Sequence, residues 1–259
     1  RYLRNFKPDI VIASSTYPLD IYPAYRIARH YHAKLIYEVH DLWPLSPMEL
    51  GGYSKKHPFI RIMQKAEDDC YRYADAVVSM LPTAEEHMRE HGLTRDKFHY
   101  VPNGIVLSDW NNPKGIPEEH GLLLSKLRAE GKFIVGFAGA HGIANSLYAV
   151  IDAVSSLTEQ NVVLVLVGGG QEKENLIKYA HKKGVTNVYF LLPINKLAIP
   201  NLLKEMDVLY IGLQMQSLFR FGISPNKMFD YMMAAKPIIQ AIDAGNNLVR
   251  EADCGIDVE

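Results

Sequence analysis

Short apolar runs, free of polar interruption, alternate with amphipathic stretches along almost the whole chain. "DIVIASS", "AKLIYEVHD", "AVVSML" and "KFHYVPNG" form one series of such runs. "FIVGFAG", "VVLVLVGGG", "VYFLLP", "VLYIG" and "PIIQAI" form a second. A strand without apolar–polar alternation is covered on both faces, and a helix between successive strands makes them parallel. Residues 105–132 separate the two series. They mix Asn, Pro, Gly and charge around one short helical stretch and read as a linker. The expected fold is therefore α/β, with two doubly wound parallel-sheet (Rossmann-like) domains at residues 1–112 and 113–259. A length of 259 residues accommodates two domains, and 48% hydrophobic content supplies an ordinary globular core. The beginning, "RYLRNFKPDIVIASS", reads as the middle of a domain and the end, "CGIDVE", as a strand just begun, so both domains are expected to be incomplete.

A net charge of −1 gives no global attraction for nucleic acid, so anions must be met locally and no nucleic-acid partner is expected. The two cysteines, Cys70 and Cys254, form no CxxC, and no His cluster stands at zinc spacing. No metal is expected, and reduced thiols fit a cytoplasmic protein. No apolar run approaches the ~18 residues of a membrane span.

In doubly wound sheets ligands bind beyond the carboxyl ends of the strands, so the loops there hold the candidates. In "GFAGAHGIAN", Gly139 and Gly142 let backbone approach a ligand, and the following helix start offers N–H groups; a tight strand-to-helix turn needs the same glycines. "VGGGQEKEN" reads the same way, more weakly. Pro193, in "FLLPI", ends a strand whose exposed backbone could read a base edge or be a plain loop. In "YEVHDLWPLSP", His40 could donate to a phosphate or hydroxyl, or be a satisfied loop residue with Asp41 capping the next helix. In "FGISPNKMFDYMMAAKPII", Ser224 has the chemistry of an N-cap and Pro225 of a first helical residue. Lys227 and Asp230 then stand three apart on one helix face. A lysine at a helix start suits an anion, and a carboxylate one turn on suits a neighbour offering hydroxyls. A sugar nucleotide has both features.

In order along the chain, "KPDIVIASS", "EVHDLWPLSP", "VPNGI", "GFAGAHGIANSL", "VGGG", "NVYFLLP" and "SPNKMFDYMMAAKPII" resemble the GT-B glycosyltransferases. The resemblance is to the large retaining family 4, and within it to the WbuB-like branch for bacterial surface polysaccharide, including lipopolysaccharide. It implies GT-B architecture and transfer of a sugar from a nucleotide-diphosphate donor, UDP favoured, to an acceptor hydroxyl. It also implies no metal or other cofactor. On the family's pattern Asp230 holds the donor ribose. Lys227, with Arg220 as a second cation, neutralises the leaving diphosphate, and His40 lies near sugar and phosphates. His40 and Lys227 are thus the catalytic candidates. Gly139, His141, Gly142, Pro193, Arg220, Gly222, Ser224, Lys227 and Asp230 are the donor-binding ones. The sequence departs from the pattern at Gly222, where relatives carry a glutamate, and at His141, in a loop where relatives carry Arg and Lys. Gly222, with the expected lack of the family's first strand and terminal helices, keeps open a catalytically inactive nucleotide-sugar-binding partner; a sugar-nucleotide epimerase of the same fold is the other alternative.

The resemblance further implies a lipid-linked saccharide acceptor. "GGYSKKHPFIRIMQK" places Lys55, Lys56, Arg61 and Lys65 around Phe59, Ile60, Ile62 and Met63, as a peripheral contact with the inner face of a cytoplasmic membrane would need. An ordinary amphipathic helix with its apolar face in the core has the same pattern.

Overall fold

The computed structural model describes residues 6–258, and the chain divides into two compact units. The first unit runs to Asn103 and takes in two later segments, Gln216–Ser224 and Ala244–Asn246. In order it contains β1 (Ile10–Ser15), α1 (Ile21–Tyr31), β2 (Lys34–Val39), α2 (Leu45–Gly51), α3 (Pro58–Tyr73), β3 (Ala76–Ser79), α4 (Glu85–Glu90) and β4 (Phe98–Tyr100). The strands pair in sequence order, all parallel, with Ile12 opposite Ile36, Val39 opposite Ser79 and Val77 opposite Phe98. Leu35, Tyr37 and Val39 of β2 pack with Ile21 and Ala28 of α1, Cys70 and Tyr71 of α3 and Met88 of α4.

The second unit contains α5 (Leu107–Asn111), α6 (Glu118–Ala129), β5 (Phe133–Ala138), α7 (Leu147–Ser155), β6 (Val162–Val167), α8 (Lys173–Lys182), β7 (Val188–Leu191), α9 (Ile199–Lys204), β8 (Val208–Gly212), α10 (Asn226–Met233), β9 (Ile238–Ala241), α11 (Leu248–Glu251) and β10 (Gly255–Asp257). Its six parallel strands lie in the order β7-β6-β5-β8-β9-β10. The uninterrupted apolar runs behave as their pattern requires: every residue of β8, and all of β6 after Val162, is buried. The chain winds outward from β5 to β7, returns to the middle at β8, and winds outward the other way. The crevice beyond the carboxyl ends of β5 and β8 is therefore a topological switch point, where such sheets take ligands.

Two local expectations are corrected. The stretch 105–132 holds two helices rather than one short one, and α6 is twelve residues long. Leu124 and Leu127, three apart, are buried in the second unit with His120, whose Nε2 donates to the Leu192 carbonyl at 2.9 Å. The Gly and Pro around this helix mask its apolar stripe. The second correction concerns Ser224, which does not cap α10. The helix begins at Asn226 with Pro225 as its N-cap, and the Ser224 hydroxyl instead accepts the Asn103 N–H at 2.8 Å.

Among the described residues, no helix is long and apolar enough to cross a membrane. Of the apolar residues around Lys55 to Lys65, Ile60 and Met63 enter the core, whereas Ile62 is 56% exposed.

Candidate functional site

The loop after β5 and the loop after β6 are knit together at the switch point. Gly139 N–H donates to the Val167 carbonyl at 3.0 Å, His141 N–H to Gly169 at 2.7 Å, and Glu172 N–H to the His141 carbonyl at 3.0 Å. This closeness dictates the glycines. A Cβ at Gly168 would collide with the Gly139 carbonyl oxygen, and one at Gly170 would lie 2.5 Å from the His141 carbonyl oxygen. Both have φ in the region that favours glycine, +153° and +148°. A cavity of about 480 Å³ opens here, lined by Gly139, Ala140, the three consecutive glycines, Pro193, Ile194 and Ile199.

Lys227 reaches this loop from the first turn of α10. Its ammonium would lie 3.4 Å from a Cβ at Gly139 and sits 4.5 Å from the centre of the Phe137 ring. It donates to the Asn145 side-chain oxygen. No described ion pair involves Lys227, and burial pushes its pKa down to about 8. It is a half-buried cation held by one neutral acceptor and an aromatic face, and this leaves most of its charge for an incoming anion.

His141 lies beneath the same loop with no exposed surface, and neither of its ring nitrogens has a hydrogen-bond partner. Burial, with the charges of Lys173 and Lys227 nearby, lowers its pKa to about 4, so it is neutral at physiological pH. Lys173 donates to the Gly168 and Leu191 carbonyls at 2.9 and 2.7 Å, fastening the glycine loop to β7. Gly142 precedes a short turn of 3₁₀ helix, Ile143–Asn145, and that turn places Asn145 against Lys227.

Asp230 occupies different surroundings from Lys227. Its Oδ1 accepts the Trp110 indole N–H at 3.2 Å, and burial raises its pKa against the opposing effect of that bond. It lines a cavity of about 330 Å³ with Trp110, Asp109, Lys196, Pro200 and Asn226. Gly139, Pro193 and Lys227 therefore converge with buried His141, whereas Asp230 faces a neighbouring cavity of the same unit.

The remaining candidates belong to the first unit. His40, at the carboxyl end of β2, is half-exposed, 3.0 Å from the Ser14 hydroxyl and 3.5 Å from a Glu38 carboxylate oxygen. The Arg220 guanidinium forms a two-pronged pair with Glu49 at 2.6 and 2.8 Å, which holds that carboxylate down to about 2. Gly222 has φ +96°, and a side chain there would run into the Pro82 ring. In this conformation an L-residue would be strained and would also collide, so no carboxylate fits here. Its neighbours are fixed by Asn246, which accepts the Ile223 N–H at 2.8 Å and donates to the Ile223 carbonyl at 3.1 Å.

Sequence reasoning did not single out Asn145, Lys173, Trp110 or Glu49. Asn145 lay inside a loop already of interest. Lys173 likewise lay inside "VGGGQEKEN", whereas Trp110 and Glu49 carry no local signal, because their partners are 120 and 171 residues away.

Residues 1–104 match the family described as "Glycosyl transferase 4-like domain", and residues 124–247 match "Glycosyl transferases group 1". No curated protein matches the sequence significantly. Solved structures share the fold at low identity. Anabaena HepE in complex with UDP-glucose is 19% identical with a TM-score of 0.61, over 92% of this chain and 60% of that one. A glycosyltransferase from Rickettsia africae is 16% identical with a TM-score of 0.68, over 100% and 64%. WaaG, a glycosyltransferase involved in lipopolysaccharide biosynthesis, is 16% identical with a TM-score of 0.63, over 92% and 68%. The chain thus spans about 60% of the length of HepE.

Proposed function

The chain belongs to the glycosyltransferases of GT-B fold, and on that premise we propose that its parent protein moves a sugar from a nucleotide-diphosphate donor to an acceptor hydroxyl. Lys227 at the glycine-lined switch point is the observation that carries this reading. When the glycosidic bond stretches, negative charge develops on the departing diphosphate. A desolvated ammonium already fixed in place stabilises that charge without reorganising. Asn145 orients the ammonium, and Phe137 shields it from water on one side. Pro193 and the glycine loops supply backbone close to the nucleotide, and Gly142 sets the turn that carries Asn145. His141 supports the cradle from below as a neutral ring, and Asp230 takes the ribose hydroxyls once Trp110 yields its bond. In the first unit, we assign His40 to the sugar and phosphates, and Arg220, Gly222 and Ser224 to shaping the donor's surroundings.

The donor is UDP-linked, in keeping with the UDP-glucose seen in HepE, and the anomeric configuration is retained. The reaction needs no metal or cofactor and serves bacterial surface polysaccharide synthesis in the manner of the WbuB-like branch. The second unit binds the donor. The first unit takes a lipid-linked acceptor on the cytoplasmic side of the membrane, with Lys55, Lys56 and exposed Ile62 at the lipid surface.

Calorimetry with UDP, followed by NMR of the full-length protein with a panel of UDP-sugars, tests the proposal. Lys227→Met and Asp230→Asn are each expected to weaken UDP binding at least about tenfold, one charge-assisted bond being worth ~1.5–3 kcal/mol. The released sugar is expected to keep its anomeric configuration. UDP binding unaffected by either change would overturn the site. Binding without hydrolysis or transfer would favour the inactive-partner reading, to which the locked Arg220–Glu49 pair and Gly222 give support.

A further inference from the structure

We propose that Glu67, His87 and His91 in the first unit form a binding site for a divalent transition-metal ion of the zinc class, independent of sugar transfer. The one-dimensional pattern hides it. His87 and His91 stand four apart in "HMREH", a spacing zinc-binding histidines use, but the carboxylate is twenty residues upstream, so the full ligand set is not apparent along the chain. The fold removes that separation. Glu67 is on the inward face of α3 and only 1% exposed, and α4 with its C-cap presents both imidazoles, whose ring centres are 4.8 Å apart. One ligating atom from each of the three residues lies within 4.8 Å of the others.

Four observations point to a cation-binding role. His87 Nε2 is buried without a hydrogen-bond partner, 3.7 Å from Glu67 Oε1. Neither Glu67 nor Asp68 is paired with a lysine or arginine among the described ion pairs, although Asp69 beside them pairs with both Lys65 and Arg72. The Gln64 amide nitrogen gives its two hydrogens to Glu67 Oε2 at 2.7 Å and Asp68 Oδ1 at 3.0 Å, so a neutral group serves both carboxylates. It stands where a positive charge would be better placed. Finally, supporting bonds are already present: the Tyr71 hydroxyl donates to Glu67 Oε1 at 2.9 Å, and His91 Nδ1 lies 3.1 Å from Asp68 Oδ1. Such partners orient the ligands of bound metals.

The donor set selects the ion. Two imidazoles and one carboxylate suit zinc and its neighbours, whereas calcium and magnesium prefer all-oxygen shells. Three protein ligands leave a fourth position for water. His87, His91, Gln64 and Asp68 line a cavity of about 520 Å³ that has room for it. The bound ion would clamp α4 to α3.

The chain, stripped with a chelator and dialysed, is titrated with Zn²⁺ by calorimetry and with Co²⁺ by absorption. One equivalent is expected, with the intense visible bands of four-coordinate cobalt and a zinc-dependent rise in melting temperature. His87→Ala with His91→Ala, or Glu67→Gln should the double variant fail to fold, is expected to weaken binding at least about a hundredfold and abolish the rise. Absence of stoichiometric binding in the wild type, or equal affinity in a folded variant, would overturn the site.

Discussion

Lys227 is a cation whose proton is loosely held. With its pKa near 8, an approaching diphosphate must find it charged, and above that pH much of it is neutral. UDP affinity is therefore expected to fall as pH rises through 8 to 9, by up to about tenfold at pH 9. The fall should be absent in Lys227→Met, and calorimetry at three pH values checks both. His141 acts in the opposite pH range. Its pKa is about 4 in the fold and ordinary in the unfolded chain, so between pH 4 and 6.5 the unfolded chain binds more protons. The stability contribution is intact above pH 6.5 and is lost as pH falls toward 4, by ~2–3 kcal/mol. Urea unfolding at pH 7 and pH 5 should show wild type losing more stability than His141→Gln. An equal loss would mean that other groups govern the acid side.

At the scale of one element, α10 shows how local rules and tertiary needs divide the work. Its inner face buries Met228 and Tyr231, and the Tyr231 hydroxyl accepts and returns bonding at Ala138, donating to its carbonyl and accepting its N–H at 3.0 Å. This fixes the register of the helix on β5, and with it the reach of Lys227 to Gly139. The helix ends in a left-handed residue, as helices commonly do, but that residue is Ala235 at φ +52° rather than glycine. An L-residue in that conformation costs roughly 1–2 kcal/mol. Ala235→Gly should therefore stabilise the protein by about 1 kcal/mol after the entropy of glycine is allowed for, raising Tm by about 2–4 °C. Calorimetric melting checks it; an unchanged or lower Tm would show that the Ala235 methyl group packs usefully.

At the scale of the molecule, sequence order and spatial grouping differ. Residues 216–224 and 244–246 follow β8 and β9 in the chain yet belong to the first unit. Arg220 pairs with Glu49, the Thr83 hydroxyl donates to the Arg220 carbonyl at 2.8 Å, and Asn103 binds Ser224. A piece covering residues 104–259 keeps the six-stranded sheet but loses those partners. The amides of Gly222 and Gly245, which both donate to the Phe219 carbonyl at 2.8 Å, should exchange at least about tenfold faster there than in the whole chain. The amides of β5 and β6 should keep their protection. Equal protection at Gly222 and Gly245 would mean that the segment folds without the first unit.

The sequence by itself determined the two parallel sheets, because uninterrupted apolar runs such as "VVLVLV" can be buried only between layers of helices. It also determined which loops hold the glycines and where Lys227 stands on its helix, since these follow from neighbours a few residues away. Tertiary structure alone decided what those residues meet. Trp110 finds Asp230 across 120 positions, Ser224 gives up a helix cap for Asn103 across 121, and Pro82 excludes any side chain at Gly222. It likewise gathered Glu67, His87 and His91 from two helices. Local hydrogen bonding and apolar periodicity are encoded within one or two turns of chain. The pairing of distant polar groups is settled only when the packed layers bring them within hydrogen-bond reach, where an unpaired buried group is costly.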